Sequence, residues 1–228
     1  WYRRGAFAAM ISLLSTCTAR NAQIVRNALW LMQTRRHRHV MVLCDLRTHI
    51  CCANCRKRWM GNGVGTAAAE QAHPCVLPTK TTSKRKRTEP RGESPQCLYK
   101  LFEQQGLQQQ GLPLSIGVFT GETSKKARAR RDEEGNTHSS ILLGTFKMMS
   151  EGIDMPWFTA QILCTPHSQE GLVQQVVGRI LRRGHTVDEA SSCSPDVVDV
   201  VDHFGILLGM ARKRYSVYKR LGFRITNL

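Results

Sequence analysis

Residues 141–183 decide the reading: Ile141-Leu-Leu-Gly-Thr-Phe-Lys-Met-Met-Ser150, then Glu151-Gly-Ile-Asp-Met-Pro156, and further on Gln174-Gln-Val-Val-Gly-Arg-Ile-Leu-Arg-Arg183. The apolar run 140–144 reads as a buried strand that delivers Thr145 to its carboxyl end, where ligands bind in open α/β sheets. A short helix then leads to Glu151–Asp154. There Gly152 permits a tight turn beside the Asp154 carboxylate, and Pro156 ends the helix. In the later segment Gln175, Gly178, Arg179 and Arg182 recur at i, i+3, i+4 and i+7, the spacing of one helical face. Two guanidinium groups on one stripe suit a polyphosphate, because their planar forks match its spread-out oxygens. An arginine supplied across a cleft also stabilises phosphoryl transfer. Taken alone, Arg179, Arg182 and Arg183 read more simply as an ordinary solvated face.

The same alternation extends outward in both directions. Apolar runs at 39–44, 115–119, 161–165 and 197–203 read as further strands, and 98–108, 123–134, 169–181 and 205–221 read as helices. Five strands separated by helices predict an α/β fold, a doubly wound parallel sheet with helices on both faces and right-handed crossovers. Residues 1–35 read as a helical lead-in, and 36–228 as the sheet domain.

One stretch departs from that rhythm. Residues 51–97 hold Gly61-Asn-Gly-Val-Gly65, Pro74, Pro78 and Lys84-Arg-Lys-Arg87, a basic composition with too little apolar surface to order itself. It reads as an insertion between the first strand and the helix from Leu98. The Lys84–Arg87 run fits a nuclear-import signal, a nucleic-acid patch or, more simply, a solvated loop. Cys52-x-x-Cys55 with His73, Cys75 and Cys97 could ligate zinc, although a second Cys-x-x-Cys is absent and the spacing matches no standard finger. The reading is that no metal binds. Cys44 and Cys164 fall inside strand-like runs and read as core residues. Nine cysteines in a chain read as intracellular argue against a disulfide framework.

Lysine and arginine number 33 against 17 acidic residues, a net charge of +16 that points to a polyanion partner. No apolar run reaches the roughly 20 residues of a membrane helix, so no membrane partner is expected. The opening residues loosely imitate a signal peptide, but their amphipathic pattern continues through Ile24, Val25, Ala28, Leu29 and Met32, which fits helices better. The absent initiator Met suggests a fragment or a processed product.

Gly144-Thr145, Glu151-Gly-Ile-Asp154 and Gln175-x-x-Gly178-Arg179-x-x-Arg182, in that order and separated by one strand, closely resemble motifs V and VI of superfamily 2 helicases. Val40–His49 resembles motif IV of the helicases of large DNA viruses and phages. Ile116–Gly121 resembles the segment that holds a strand's phosphates, and 200–222 their closing strand and basic helix. The resemblance covers roughly residues 20–50 and 98–224 and implies the C-terminal, second RecA-like domain of such an enzyme. It implies that Arg179 and Arg182 reach the γ-phosphate of ATP, with Arg182 as the arginine finger. It places Gly152, Asp154, Gln175 and Gly178 at the nucleotide. Asp45, Arg47, Thr120, Gly121 and Thr145 would face nucleic acid, DNA by preference.

Other parts of the family pattern are missing. The chain has no Gly-Lys pair, hence no Walker A loop, and no Asp-Glu-x-Asp or Asp-Glu-x-His box for Mg2+. ATP and Mg2+ would therefore need a first RecA-like domain, in cis or in trans, and this chain would not be active alone. The alternative is a non-enzymatic nucleic-acid-binding module derived from a helicase. The expected location is intracellular, at a nucleus or a viral replication site.

Overall fold

The computed structural model of this chain describes residues 4–51, 97–108, 115–121, 140–150, 157–181 and 194–226. Two helices lead in, α1 (Arg4–Thr16) and α2 (Thr18–Gln33). The strands are β1 (His39–Cys44), β2 (Ser115–Phe119), β3 (Ser140–Thr145), β4 (Ala160–Leu163) and β5 (Asp196–Asp199). Between and after them lie α3 (Arg47–Ile50), α4 (Leu98–Gln108), α5 (Phe146–Ser150), α6 (Glu170–Gly178) with a 3-10 turn over Arg179–Leu181, and α7 (Gly205–Arg220).

All four strand pairings are parallel, in the order β2-β3-β1-β4-β5. β1 is central and buried at every position, so from Val40 to Cys44 its side chains are apolar on both faces. They divide by alternation. Val40, Val42 and Cys44 join Ile24, Ala28, Leu31, Leu98 and Phe102 of α2 and α4 in one core layer. Met41 and Leu43 join Phe146, Val173, Val176, Val177 and Val217 of α5, α6 and α7 in the other. The expected doubly wound sheet with helices on both faces is what forms. The connection after β1 carries α4 on one face, while those after β3 and β4 carry α5 and α6 on the other, so direction reverses beside β1 and opens a crevice at the carboxyl ends of β1 and its neighbours.

Two strands are shorter than their apolar text. β4 ends at Leu163 rather than Thr165, because Cys164 and Thr165 turn to close the β1–β4 edge: Cys164 N–H donates to Leu43 at 2.8 Å, and the Asp45 N–H to Thr165 Oγ1 at 3.0 Å. β5 ends at Asp199 rather than His203. Beyond it Asp202 is drawn into an ion pair with Arg20 of α2 (2.7 Å). The helix expected over 169–181 is α-helical only to Gly178. α7 buries Leu207, Ala211, Arg214, Val217 and Tyr218, a helical stripe interrupted by one arginine.

The helix expected at 123–134 and insertion residues 52–96 lie outside the described residues. The end residues of the insertion, Cys51 and Cys97, are both buried, Cys51 within the α2–α4 layer. Among the described residues no helix is long and apolar enough to cross a membrane.

Candidate functional site

The carboxyl ends of the strands carry the residues read as facing nucleic acid: Asp45, Arg47, Thr120, Gly121 and Thr145. Asp45 follows β1 with its carboxylate half-exposed, and it accepts a hydrogen bond from His167 Nε2 at 2.8 Å. Arg47, at the start of α3, is exposed. Thr120 is buried at the end of β2, next to an exposed Gly121. Thr145 is buried at the end of β3, where its hydroxyl accepts the Met148 N–H at 3.4 Å and caps the first turn of α5. That local role explains the threonine without any ligand, and it fixes the direction in which α5 leaves the sheet.

α5 ends at Ser150, and Gly152 and Asp154 just beyond lie outside the described residues. Arg179 approaches that end: its Nη2 donates to the Ser150 carbonyl at 3.1 Å. Segments 141–150 and 174–181 thus meet at one contact between residues 29 apart in the chain. On α6, Val173, Val176 and Val177 pack into the core while Gln175 is exposed and Gly178 half-exposed. The expected single α-helical face for Gln175, Gly178, Arg179 and Arg182 is modified. Arg179–Leu181 wind as a 3-10 turn, with about 3.0 rather than 3.6 residues per turn. The α-helical register therefore ends at Gly178, and Arg182 lies outside the described residues.

The cysteines behave differently from one another. Cys97, one of the zinc candidates, is buried at 5% exposure, while Cys52, Cys55 and Cys75 lie outside the described residues. Among the described residues no three His, Cys, Asp or Glu side chains gather to hold a metal. Cys44 and Cys164 are buried core residues, and burial, with Cys164 alongside, pushes the Cys44 thiol well above its ordinary range.

Several residues that shape this edge escaped sequence reasoning. His167 joins three elements: its ring bonds Asp45 after β1 and lies 4.1 Å from the Phe146 ring, and its carbonyl accepts Arg214 Nη1 at 3.0 Å. Arg214 and Tyr218 of α7 both bond the Asp199 carboxylate. Arg20 spans Asp202 and the Cys164 carbonyl. The signal for Arg214 was present, since it occupies an apolar position of its helix, at i+7 from Leu207. Behind the edge, His49 is buried with Nε2 on Asn21 Oδ1 at 2.8 Å. Burial, then the charge of Arg20, holds its pKa down to about 3, so it is neutral and donates that bond.

Residues of T4 UvsW share this arrangement over 94% of the present chain and 35% of the UvsW chain, with a TM-score of 0.53 and 14% identity. Shorter stretches resemble the C-terminal part of the Fun30 ATPase domain, at TM-score 0.39 and 12% identity over 51% of this chain and 36% of that one. Similar stretches resemble the C-terminal domain of the DEAD-box protein Dbp5, at TM-score 0.40 and 15% identity over 57% of this chain and 65% of that one. No family model and no curated protein sequence matches. At these identities the likeness is one of fold: this chain is a RecA-like α/β domain. It spans about a third of the UvsW chain.

Proposed function

We propose that this domain is the C-terminal motor lobe of an ATP-dependent superfamily 2 helicase of the type found in large DNA viruses and phages. The observation that carries the proposal is the Arg179–Ser150 contact, which joins the ends of the two helicase-like motifs in space. The donor chemistry fits a phosphate, because a half-buried guanidinium on the same helix end as the exposed Gln175 offers N–H groups in a planar fork. It does not fit Mg2+, for which the described residues gather no acidic cluster. ATP and its metal would therefore be held by a first RecA-like domain, in cis or in trans. When bound there, the nucleotide supplies the phosphoanhydride whose cleavage drives the motor.

In this proposal Arg179 and Arg182 approach the γ-phosphate when the lobes close and neutralise the charge that develops there, Arg182 most directly. Gly152, Asp154, Gln175 and Gly178 line the same edge. Asp45, Arg47, Thr120, Gly121 and Thr145 face one strand of nucleic acid, DNA by preference, inside the cell at a nucleus or viral replication site. In a native protein carrying a Walker lobe, Arg182→Ala or Arg179→Ala is expected to lower nucleic-acid-stimulated turnover by about a thousandfold or more while ATP still binds. Full turnover in both variants removes these arginines from the chemistry.

The net charge of +16 also supports a second reading, a binding module without ATP chemistry. Binding of a single-stranded oligonucleotide that no ATP analogue alters, in every native form of the protein, would favour it.

A further inference from the structure

β4 lies between β1 and β5 in the middle of the sheet, where side chains on both faces meet core. Such positions call for apolar residues. Gln161 departs from this. It is 0% exposed, in register with Met41 of β1 and Val197 of β5, on the face that α6 covers. Its Nε2 donates to the Val176 carbonyl of α6 at 2.9 Å, while its Oε1 is buried with no hydrogen-bond partner among the described residues. The amide cannot be turned over, because Oε1 would then face the Val176 oxygen with no proton between them. Leu or Met would fill the same space without stranding a carbonyl oxygen, so the core alone does not account for glutamine here.

Val176 is where α6 changes character. In a continuing α-helix its carbonyl would take the N–H of Ile180; here it takes that of Arg179, and 179–181 wind as a 3-10 turn. Gln161 binds the same carbonyl from the sheet side. We propose that Gln161 is a positioning residue that clamps the Val176 carbonyl, holds the last turn of α6 in its 3-10 form, and thereby aims Arg179 at the end of α5. The unsatisfied Oε1 is the cost of placing a donor at that depth. The significance of the clamp rests on the phosphate-facing role proposed for Arg179, but its existence does not.

The test is made on this chain, labelled with nitrogen-15. Gln161→Met keeps the volume and removes the donor. We expect a folded protein in which the Arg179 amide exchanges about tenfold faster and the Arg179 Nε–H resonance shifts. A folded Gln161→Met protein with both signals in place overturns the proposal. Gln161→Glu tests the donor itself. A neutral carboxyl can give its O–H to Val176 and an ionised one cannot, so the wild-type Arg179 signals should return on acidification and vanish as the carboxyl ionises. Lost packing alone produces no such titration. If Gln161→Met fails to fold, this titration decides, and Arg179 signals that ignore pH overturn the proposal. The two readings fail separately. If Arg179→Ala retains turnover while Gln161→Met still displaces the Arg179 signals, the clamp stands and the phosphate reading falls.

Discussion

Arg214 and Asp199 form a two-point pair, Nε to Oδ2 at 2.8 Å and Nη2 to Oδ1 at 2.9 Å, with side chains only 1% and 9% exposed. Burial alone would lower the arginine's pKa, but the hydrogen bonds and charge of Asp199 outweigh it and raise it. The pair ties α7 to the end of β5, and Arg214 Nη1 extends the tie to the loop after β4. Removing one partner leaves the other buried and unmatched, so Arg214→Ala should cost about 3–5 kcal/mol, read from the midpoint of urea unfolding. Arg214→Lys should recover little, because a point charge cannot bridge both carboxylate oxygens and the His167 carbonyl. The double variant Arg214→Met with Asp199→Leu should recover most of the loss. A double variant no better than the single one would assign the loss to packing.

Stability should fall steeply on the acid side. Burial, then Arg20, holds the pKa of His49 down to about 3, and burial, then Arg38, holds that of His39 down to about 4. In the unfolded chain both titrate near 6.5. Between these values the unfolded state binds protons that the folded state refuses. The contribution is therefore whole above about pH 6.5 and drains away as pH falls toward 3 to 4, on the order of a few kcal/mol. Asp196 acts in the same direction. Burial would raise its pKa, but hydrogen bonds from Arg35 and His37 prevail and lower it, so its contribution too is lost in acid. Urea midpoints at neutral pH and at about pH 5 and 4 check this, and His49→Gln should flatten the dependence. A midpoint that does not move with pH would refute it.

How much of this was legible varies with the physics that sets each part. β1 and β2 were readable to the residue and β3 to within one, because buried parallel strands read as continuous apolar runs, and alternation along β1 then assigns Val42 and Leu43 to opposite layers. The ends of β4 and β5 were not, because polar pairs distant in sequence set them: Asp45 with Thr165, and Arg20 with Asp202. The meeting of Arg179 with Ser150 was implied by the order of the motifs. Its 3-10 geometry was not, since it depends on Gln161 of a neighbouring strand. His167 looked like an ordinary loop residue after a proline, and only the fold brings Asp45, Phe146 and Arg214 around it.

The C-terminus of α7 depends on one glycine. Gly222 has φ of 81° and donates its N–H to Lys219 at 3.1 Å, while Phe223 N–H reaches back to Tyr218 at 3.0 Å. This is a Schellman cap, and the Phe223 ring lies 6.5 Å from the Tyr218 ring as its apolar contact. A Cβ added at Gly222 would meet nothing within 4 Å, so only backbone conformation opposes a side chain. Gly222→Ala should therefore cost roughly 1 kcal/mol and Gly222→Asn less, since asparagine tolerates the left-handed region. Urea unfolding of the two variants gives the ranking, and equal midpoints would mean that the last turn frays without consequence.

The outer face of α7 gives the nucleic-acid proposal its most direct check. Arg212, Lys213, Lys219 and Arg220 are exposed, while Arg214 of the same helix is turned inward. Arg220 is partly occupied by Glu170 at 2.9 Å, which leaves Arg212, Lys213 and Lys219 as the better phosphate partners. Replacing those three by glutamine removes charge without touching the buried stripe, so the fold should survive. If a strand lies along α7, affinity for a labelled single-stranded oligonucleotide should fall similarly for every base sequence. The slope of log affinity against log salt should also shrink by up to about 2, at about 0.7 per phosphate contact on a single strand. Arg220→Gln alone should change the slope much less. An unchanged slope in the triple variant would move the strand off α7 and leave the carboxyl edge at Arg47 and Thr120 as the surface to test, because a contact that releases no counterions is not a phosphate contact.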